Sequence, residues 1–285
     1  MDAYRMATRL EEAEWIDSAA DSLATVVGRL IKTGPFKDLL SGTWLGHSLH
    51  PVLTDVPIGT WLSASVLDVL GGKETDEAAQ ILLAVGLLTA SPTVWSGLSD
   101  WSDTLGGERR VGTAHAASNV TASMIYGASL LARRRGRRGL GVVLGLAGAG
   151  VTAAGAYLGG HLSLAMGLGV DHTAFEHPPE EWTPVMDDAD LAEGAPKLVD
   201  AAGVGVMLVR QSGALYALSN RCTHLGGPLD EGALEGRSVI CPWHASRFDL
   251  ATGEVLQGPA RSPEPAYDVR VQSGVIELKA RPATA

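Results

Sequence analysis

The sequence predicts a protein of two parts, an α-helical four-helix transmembrane bundle followed by an all-β domain. Residues 78–99, 111–132 and 139–170 contain no Asp, Glu, Lys or Arg. Each run is long enough to cross a bilayer, which needs roughly 20 apolar residues. After residue 182 the pattern changes to short β-type runs such as VGVMLVRQ and VIELKA, separated by Gly, Asp and Pro turns.

Residues 1–46 precede the first apolar run and are mixed in composition. Apolar residues recur at helical spacing within 12–32, which predicts an amphipathic helix that ends at Gly34-Pro35. We expect this helix to pack on the bundle or to lie on the membrane surface. The first 20 residues carry acids throughout and no apolar stretch, so a cleavable signal peptide is not expected.

Residues 47–169 are predicted to form the transmembrane unit. Its first apolar run, 51–71, carries Asp55 and Asp68 near its two ends. The links between the four runs are short, which predicts an up-down-up-down arrangement. A large soluble helical core is the alternative. Residues 170–182 are predicted to be a linker stiffened by Pro178-Pro179, and residues 183–285 the β domain.

The charge balance bears on partners. The formal net charge is −10, and residues 171–285 hold 17 acids against 9 bases. This acidic surface argues against nucleic acid as a partner, since nucleic-acid-binding proteins carry basic patches. It is compatible with a basic redox partner and equally with simple solubility. The apolar runs make the lipid bilayer the other expected partner.

Two Cys/His pairs are the candidate metal ligands. Cys222-Thr-His224 and Cys241-Pro-Trp-His244 are separated by 16 residues, and the chain has no other cysteine. Two thiolates and two imidazoles can hold a tetrahedral zinc ion or a 2Fe–2S cluster of mixed ligation. Zinc fingers usually pair Cys with Cys and His with His, whereas each pair here supplies one of each.

The segments CTHLGGPL and CPWHASRFD closely resemble the two cluster-binding boxes of Rieske ferredoxin-like domains. The resemblance spans about residues 183–281 and includes DLATGEVLQGPA, which is similar to the family's third loop. It implies that Cys222 and Cys241 bind the inner iron of a 2Fe–2S cluster and that His224 and His244 bind the outer iron. Leu225 and Pro259 would shield the cluster.

The sequence also departs from the Rieske proteins of respiratory complexes. A disulfide joins the two loops in those proteins, but the matching positions here are Gly227 and Trp243. Ser246 matches a residue that bonds to sulfur, whereas Phe248 replaces a hydrogen-bonding Tyr, so we expect a lower reduction potential. No His follows His244 to build the mononuclear iron site of Rieske oxygenases. The resemblance therefore implies an oxidoreductase-associated electron-transfer protein rather than a stand-alone catalyst.

The membrane half contains HPVLTDVPIG, SGLSDW and AYLGGHL, which resemble an uncharacterised four-helix bacterial membrane family found fused to Rieske domains. Up-down-up-down connectivity brings His50, His115 and His161 to one membrane face. Ionisable residues at membrane depth are costly and point to function. These histidines are the candidate site of a b-type haem or of a quinone. Interfacial histidines bonded to head groups or loops are the alternative.

These features predict an integral protein of a bacterial cell membrane that exchanges single electrons with a redox protein, quinone or haem. The alternatives are a ferredoxin-like domain on a passive anchor serving a soluble oxidoreductase, and a redox sensor. The arginine-rich link between the third and fourth helices predicts that this link is cytoplasmic, which puts the Rieske domain on the outer face. The sequence Arg137-Arg138 before an apolar helix also resembles a twin-arginine export signal.

Overall fold

A computed structural model describes residues 3–281. The chain forms two compact units. The first contains the residues up to Ile31 together with Leu49–Leu168, and the second contains Lys32–Ser48 together with the residues from Gly169 onward. Residues 32–48, which the sequence pattern groups with the N-terminal and membrane segments, thus pack within the unit that holds the β domain.

The helices account for the apolar runs in the sequence. Across residues 3–281 the α-helices are α1 (Ala3–Glu11), α2 (Asp17–Leu30), α3 (Pro35–Ser41), α4 (Leu49–Leu70), α5 (Asp76–Ser102), α6 (Gly106–Arg134) and α7 (Arg138–Leu164). Helix α2 occupies most of the predicted amphipathic stretch, where Ala20, Ala24 and Val27 are buried at helical spacing. Helices α4–α7 coincide with the four apolar runs.

Three of these helices, α4, α5 and α7, are long and apolar enough to cross a membrane by length and composition. Helix α6 carries Glu108, Arg109 and Arg110 in its first turns and Arg133 and Arg134 in its last. That α6 crosses the membrane therefore stays a prediction, which is based on the uncharged residues in the centre of this helix.

Helices α4–α7 form a four-helix bundle. Each packs on the next in the chain, and α4 also packs on α7, which makes α4 and α6 a diagonal pair. In the core, the rings of Trp61 and Tyr126 stack with centroids 4.4 Å apart. A Cβ at Gly148 would lie 2.9 Å from Tyr126, so this glycine of α7 lets the ring approach the helix backbone.

A buried ion pair closes the end of the bundle where α6 ends. The Arg133 side chain is fully buried and bonds to Asp68 of α4 and, at 2.6 Å, to Asp76 of α5. Arg138 also approaches Asp76, at 3.5 Å. Arg133 is thus a neutralised core residue, and the exposed Arg134, Arg135 and Arg137 are the charges that bear on orientation.

The second unit is built from three antiparallel sheets. Across residues 3–281 the strands are β1 (Thr183–Asp187), β2 (Lys197–Ala201), β3 (Val204–Gln211), β4 (Ala214–Ser219), β5 (Ala233–Glu235), β6 (Ser238–Ile240), β7 (Arg247–Asp249), β8 (Val255–Gln257), β9 (Tyr267–Gln272) and β10 (Val275–Ala280). The strand orders are β1-β10-β9, β2-β3-β4 and β5-β6-β7-β8. This confirms the predicted all-β domain.

Candidate metal centre

Two loops of the β domain carry the Cys/His pairs. One follows β4 and holds Cys222 and His224, and the other joins β6 to β7 and holds Cys241 and His244. Strands β6 and β7 pair with Val239 opposite Phe248, so the second loop is the closed end of a hairpin. Both cysteines pack in one buried cluster that includes Leu229, Val239 and Phe248.

The two loops are closed by the same pair of backbone hydrogen bonds. The Cys222 amide donates to Gly227 O at 2.9 Å, and Gly226 N donates back to Cys222 O at 2.8 Å. In the second loop the Cys241 amide donates to Ser246 O at 2.8 Å, and Ala245 N donates to Cys241 O at 3.1 Å. Both loops therefore share this closed conformation, although His224 is the second residue after its cysteine and His244 is the third.

The fourth residue after each cysteine adopts positive φ. Gly226 has φ +77° and Ala245 has φ +59°. Glycine adopts this region without cost, whereas alanine is strained there. The second loop therefore holds a strained residue where the first holds a glycine, and the hydrogen bonds at Cys241 keep it there.

The thiols and imidazoles form two adjacent groups. Cys222 and Cys241 are hydrogen-bonded to each other through their side chains and are almost fully buried. The rings of His224 and His244 lie with centroids 5.0 Å apart and nearly perpendicular planes. Within residues 3–281 no three His, Cys, Asp or Glu side chains converge as ligands of one metal ion would. Two adjacent thiols beside two adjacent imidazoles is the division that the two irons of a 2Fe–2S cluster with mixed ligation need.

The pKa shifts of Cys241 and His224 favour the protonation states that bind a metal, whereas that of Cys222 favours the thiol. The hydrogen bond from Cys222 lowers the pKa of the Cys241 thiol to about 7. The same contact, together with burial, raises the pKa of the Cys222 thiol. Burial, followed by the positive charge of Arg261, lowers the pKa of His224 well below its usual value. His224 is therefore a neutral imidazole, the form that ligates a metal.

Gly227 leaves room where the two loops meet. A Cβ at this position would lie 2.8 Å from Cys241 Sγ and 3.1 Å from the Trp243 ring. The sequence identified Gly227 only as a position that lacks the disulfide cysteine found in the Rieske proteins of respiratory complexes. The structure gives it a steric role, because any side chain here would collide with a thiol of the site.

The third loop, which leads out of β8, closes over the second. Ala260 N donates to Ser246 Oγ at 2.9 Å, and Ser246 is fully buried. The Ser246 oxygen accepts this bond, so its own hydroxyl hydrogen is left to donate elsewhere. Pro259 is buried and Leu225 is half-buried, as expected for residues that shield the site.

Helix α3 and the residues after it brace the third loop, a contact that the sequence did not reveal. Gly258 N donates to Asp38 Oδ1 at 3.1 Å, the Thr43 hydroxyl donates to Ala260 O at 3.1 Å, and Arg261 Nε donates to Ser41 O at 2.6 Å. These partners lie more than 200 positions apart in the chain. No periodicity or spacing in the sequence signals such a contact.

The predicted linker also contributes to the site. His172 N donates to Thr223 O at 3.2 Å, and Ser219 Oγ donates to Glu176 at 2.8 Å. At least residues 172–176 are therefore fixed to the first loop. His224 is only 5% exposed, whereas His244 is half-buried and lies beside Trp243, which is 57% exposed. The accessible side of the site is thus the His244 side.

We predict that Asp38→Ala weakens the hold on the third loop. The variant loses the acceptor for Gly258 N, and one hydrogen bond is worth about 1 kcal/mol, close to a fivefold change in the loop's opening equilibrium. Loss of bound iron to a chelator, followed by visible absorbance, should be about fivefold faster if it proceeds through the opened loop. Asp187→Ala, which changes an exposed aspartate of β1, is the control. Equal rates for wild type and Asp38→Ala would show that α3 does not brace the loop.

The histidines of the helical unit separate into two groups. The His50 and His115 rings meet with centroids 6.2 Å apart. His161 Nε2 instead lies 2.7 Å from Glu11 Oε1, and its ring packs near Tyr4 and Tyr157. The sequence pattern placed all three histidines in one candidate site. It did not predict helix α1, which supplies Glu11 as the partner of His161. His161 thus has a carboxylate partner of its own.

Comparison with known proteins finds a match for each of the two parts of the chain. Residues 181–273 match the family described as Rieske 2Fe–2S domain, and residues 46–172 match the family described as Predicted membrane protein (DUF2231). The chain is 36% identical over 90 residues to a Ralstonia sp. protein, the ferredoxin component of naphthalene 1,2-dioxygenase/salicylate 5-hydroxylase systems. That alignment covers 32% of this chain and 86% of the relative.

Two further relatives cover the same region. The ferredoxin component of the naphthalene 1,2-dioxygenase system of Pseudomonas putida is 33% identical over 93 residues, which is 33% of this chain and 89% of that protein. Among solved structures, the ferredoxin of carbazole 1,9a-dioxygenase from Nocardioides aromaticivorans has 34% identity and a TM-score of 0.34. It covers 35% of this chain and 98% of that one.

Proposed function

The chain belongs to the Rieske 2Fe–2S family through its C-terminal domain, and from that membership we propose that it is a membrane-anchored one-electron carrier. The observation that carries the proposal is the pair of equivalent loops, each presenting one Cys and one His. When bound, a 2Fe–2S cluster with mixed Cys and His ligation accepts and returns one electron. The match to a membrane family and the three apolar helices support the anchor.

Each ligand has a defined part in this proposal. Cys222 and Cys241 hold one iron inside the domain, where the hydrogen bond between their thiols already keeps the sulfurs adjacent. His224 and His244 hold the second iron. Because His224 is buried and His244 is partly accessible beside exposed Trp243, electrons pass to a partner on the His244 side.

The proposed partner is a redox protein, because two of the similar relatives are ferredoxin components of dioxygenase systems. A quinone or a haem within the lipid bilayer is the second candidate, and the His50–His115 pair favours the haem of these two. In either case the chain passes electrons and leaves the oxidation of an organic substrate to another protein.

The test of the proposal is a composition and spectrum of the full-length protein purified in detergent. We expect two iron and two labile sulfides per chain and the rhombic EPR signal of mixed ligation after reduction. Cys241→Ser and His244→Ala should each remove that signal. Stoichiometric zinc without sulfide would refute the cluster and with it the proposed function.

A second variant tests how the protein tunes its potential. Phe248 is fully buried in the same cluster of residues as both cysteines. Phe248→Tyr offers a hydroxyl donor near the sulfurs, which stabilises the reduced, more negative cluster, so the reduction potential should rise. Phe175→Tyr, the same chemical change at an 87% exposed position, is the control. A lower potential in Phe248→Tyr, measured by redox titration, would contradict the hydrogen-bond explanation.

We further propose that the Rieske domain lies on the outer face of a bacterial cell membrane. Exposed Arg134 at the end of α6, and Arg135 and Arg137 between α6 and α7, support a cytoplasmic link. Protease added to intact spheroplasts should then remove the β domain. A β domain that is protected until the cells are lysed would place it in the cytoplasm.

A further inference from the structure

His50 and His115 meet between the helices near one end of the bundle, since His50 is the second residue of α4. They belong to the diagonal helices α4 and α6, while α5 and α7 pack on both of them. Their ring planes are nearly perpendicular, at 82°, with centroids 6.2 Å apart. Two imidazoles at membrane depth are costly to keep unless they have a role.

Backbone carbonyls fix the tautomer of both rings. His50 Nδ1 lies 3.0 Å from Thr93 O of α5, and His115 Nδ1 lies 2.8 Å from Gly155 O of α7. A carbonyl oxygen only accepts, so each Nδ1 carries the hydrogen and each neutral ring keeps a lone pair on Nε2. A bond from the distal N–H to a backbone carbonyl is how proteins orient histidine as a metal ligand.

Two glycines make room for the rings. A Cβ at Gly97 of α5 would lie 2.7 Å from His50 Cε1, and a Cβ at Gly159 of α7 would lie 2.9 Å from His115 Cε1. Helices α5 and α7 therefore each have a glycine at the position that contacts an imidazole ring. The pair thus occupies a place that all four helices shape.

The chemistry of the exposed lone pairs selects the ligand class. An Nε2 atom that carries a lone pair can bind an electrophile such as a metal ion. A quinone carbonyl oxygen would instead need a hydrogen-bond donor. Asn119 Nδ2 lies 3.1 Å from His115 Nε2 and also donates to His115 O at 3.0 Å, so it keeps a partner when Nε2 is taken. Two trans imidazoles on one metal, with metal–nitrogen bonds near 2.0 Å, have ring centres about 6 Å apart. The observed separation matches this value.

The protein supplies two ligands here and not more. Among the described residues, 3–281, no three His, Cys, Asp or Glu side chains gather as ligands of one ion. A haem provides four equatorial nitrogens and requires two axial ligands. We propose that His50 and His115 are the axial ligands of a haem iron in the bundle. This inference rests on the proposed electron-transfer function, because a haem is a second one-electron centre.

The experiment uses the full chain, produced with a haem precursor and purified in detergent. Haem is measured as the pyridine haemochrome, and a reduced-minus-oxidised spectrum records its ligation. We expect one haem per chain with the sharp α band of a six-coordinate low-spin iron. His50→Ala and His115→Ala should each lose that band, whereas His161→Ala, which removes the histidine paired with Glu11, should retain it.

Further variants guard against misfolding. His115→Met should keep the haem but raise its potential, since Met/His ligation raises that of haem iron. If wild-type protein binds no haem even on titration with haemin, or if His161→Ala loses the band as His50→Ala does, the inference is wrong. A stoichiometric bare metal without haem would also overturn it. Iron–sulfur EPR on the same samples separates the outcomes, because a cluster without haem refutes only this inference, whereas loss of the cluster refutes the proposed function.

Discussion

Replacing Gly227 by alanine is expected to prevent stable assembly of the cluster while the β domain stays folded. The new Cβ would lie 2.8 Å from Cys241 Sγ, closer than van der Waals contact permits. Overpacking of this kind costs roughly 1–3 kcal/mol, and each 1.4 kcal/mol is a factor of ten in an equilibrium constant. Iron retention should therefore fall by roughly five- to hundredfold.

The measurement is iron and sulfide content after reconstitution and desalting, with the EPR amplitude alongside. Gly205→Ala is the matched control, because Gly205 is an exposed glycine of β3. Its added Cβ would lie 3.3 Å from the end of the Leu198 side chain and 3.9 Å from Asn220 Cβ. Circular dichroism should show the same β content for both variants. If Gly227→Ala binds a full complement of iron, the close contact between the loops does not limit the site.

The sequence was sufficient to predict the local features. Uncharged runs predicted α4–α7, alternating runs predicted the β domain, and the two boxes predicted which loops carry the Cys/His pairs. These signals work because apolar periodicity and ligand spacing are properties of neighbouring residues. The same signals identified His50 and His115 as residues of interest, although they could not show that these two meet.

The remaining features depend on contacts between distant segments. The bond of Asp38 to Gly258 joins residues 220 positions apart, and nothing in either segment's composition indicates the other. Helix α1 is short, and the Glu11 that it places against His161 separates this residue from the other two histidines. Arg133 is a further example of a contact that the sequence does not indicate. The run of arginines predicts an exposed loop, whereas the first of them, Arg133, is buried.

Arg133→Met is expected to destabilise the helical unit by about 3–5 kcal/mol, because removing one partner of a buried ion pair leaves the other charge uncompensated. The Asp68 side chain is only 2% exposed and would lose the cation that neutralises it. Asp76 would keep Arg138 nearby, at 3.5 Å, so Asp68 carries most of the effect. Thermal unfolding in detergent, followed by circular dichroism of the helices, measures the change.

The double variant Arg133→Met/Asp68→Asn distinguishes loss of the ion pair from loss of packing. It removes the uncompensated carboxylate and should recover a large part of the stability, since a buried pair replaced as a unit is often close to neutral. Arg134→Met changes the exposed neighbour and should stay within about 0.5 kcal/mol of wild type. The Arg133 side chain packs closely on Gly141, where an added Cβ would lie 2.4 Å from Arg133 Cγ. If the double variant is no more stable than Arg133→Met alone, the arginine stabilises the unit through this packing and not through its charge.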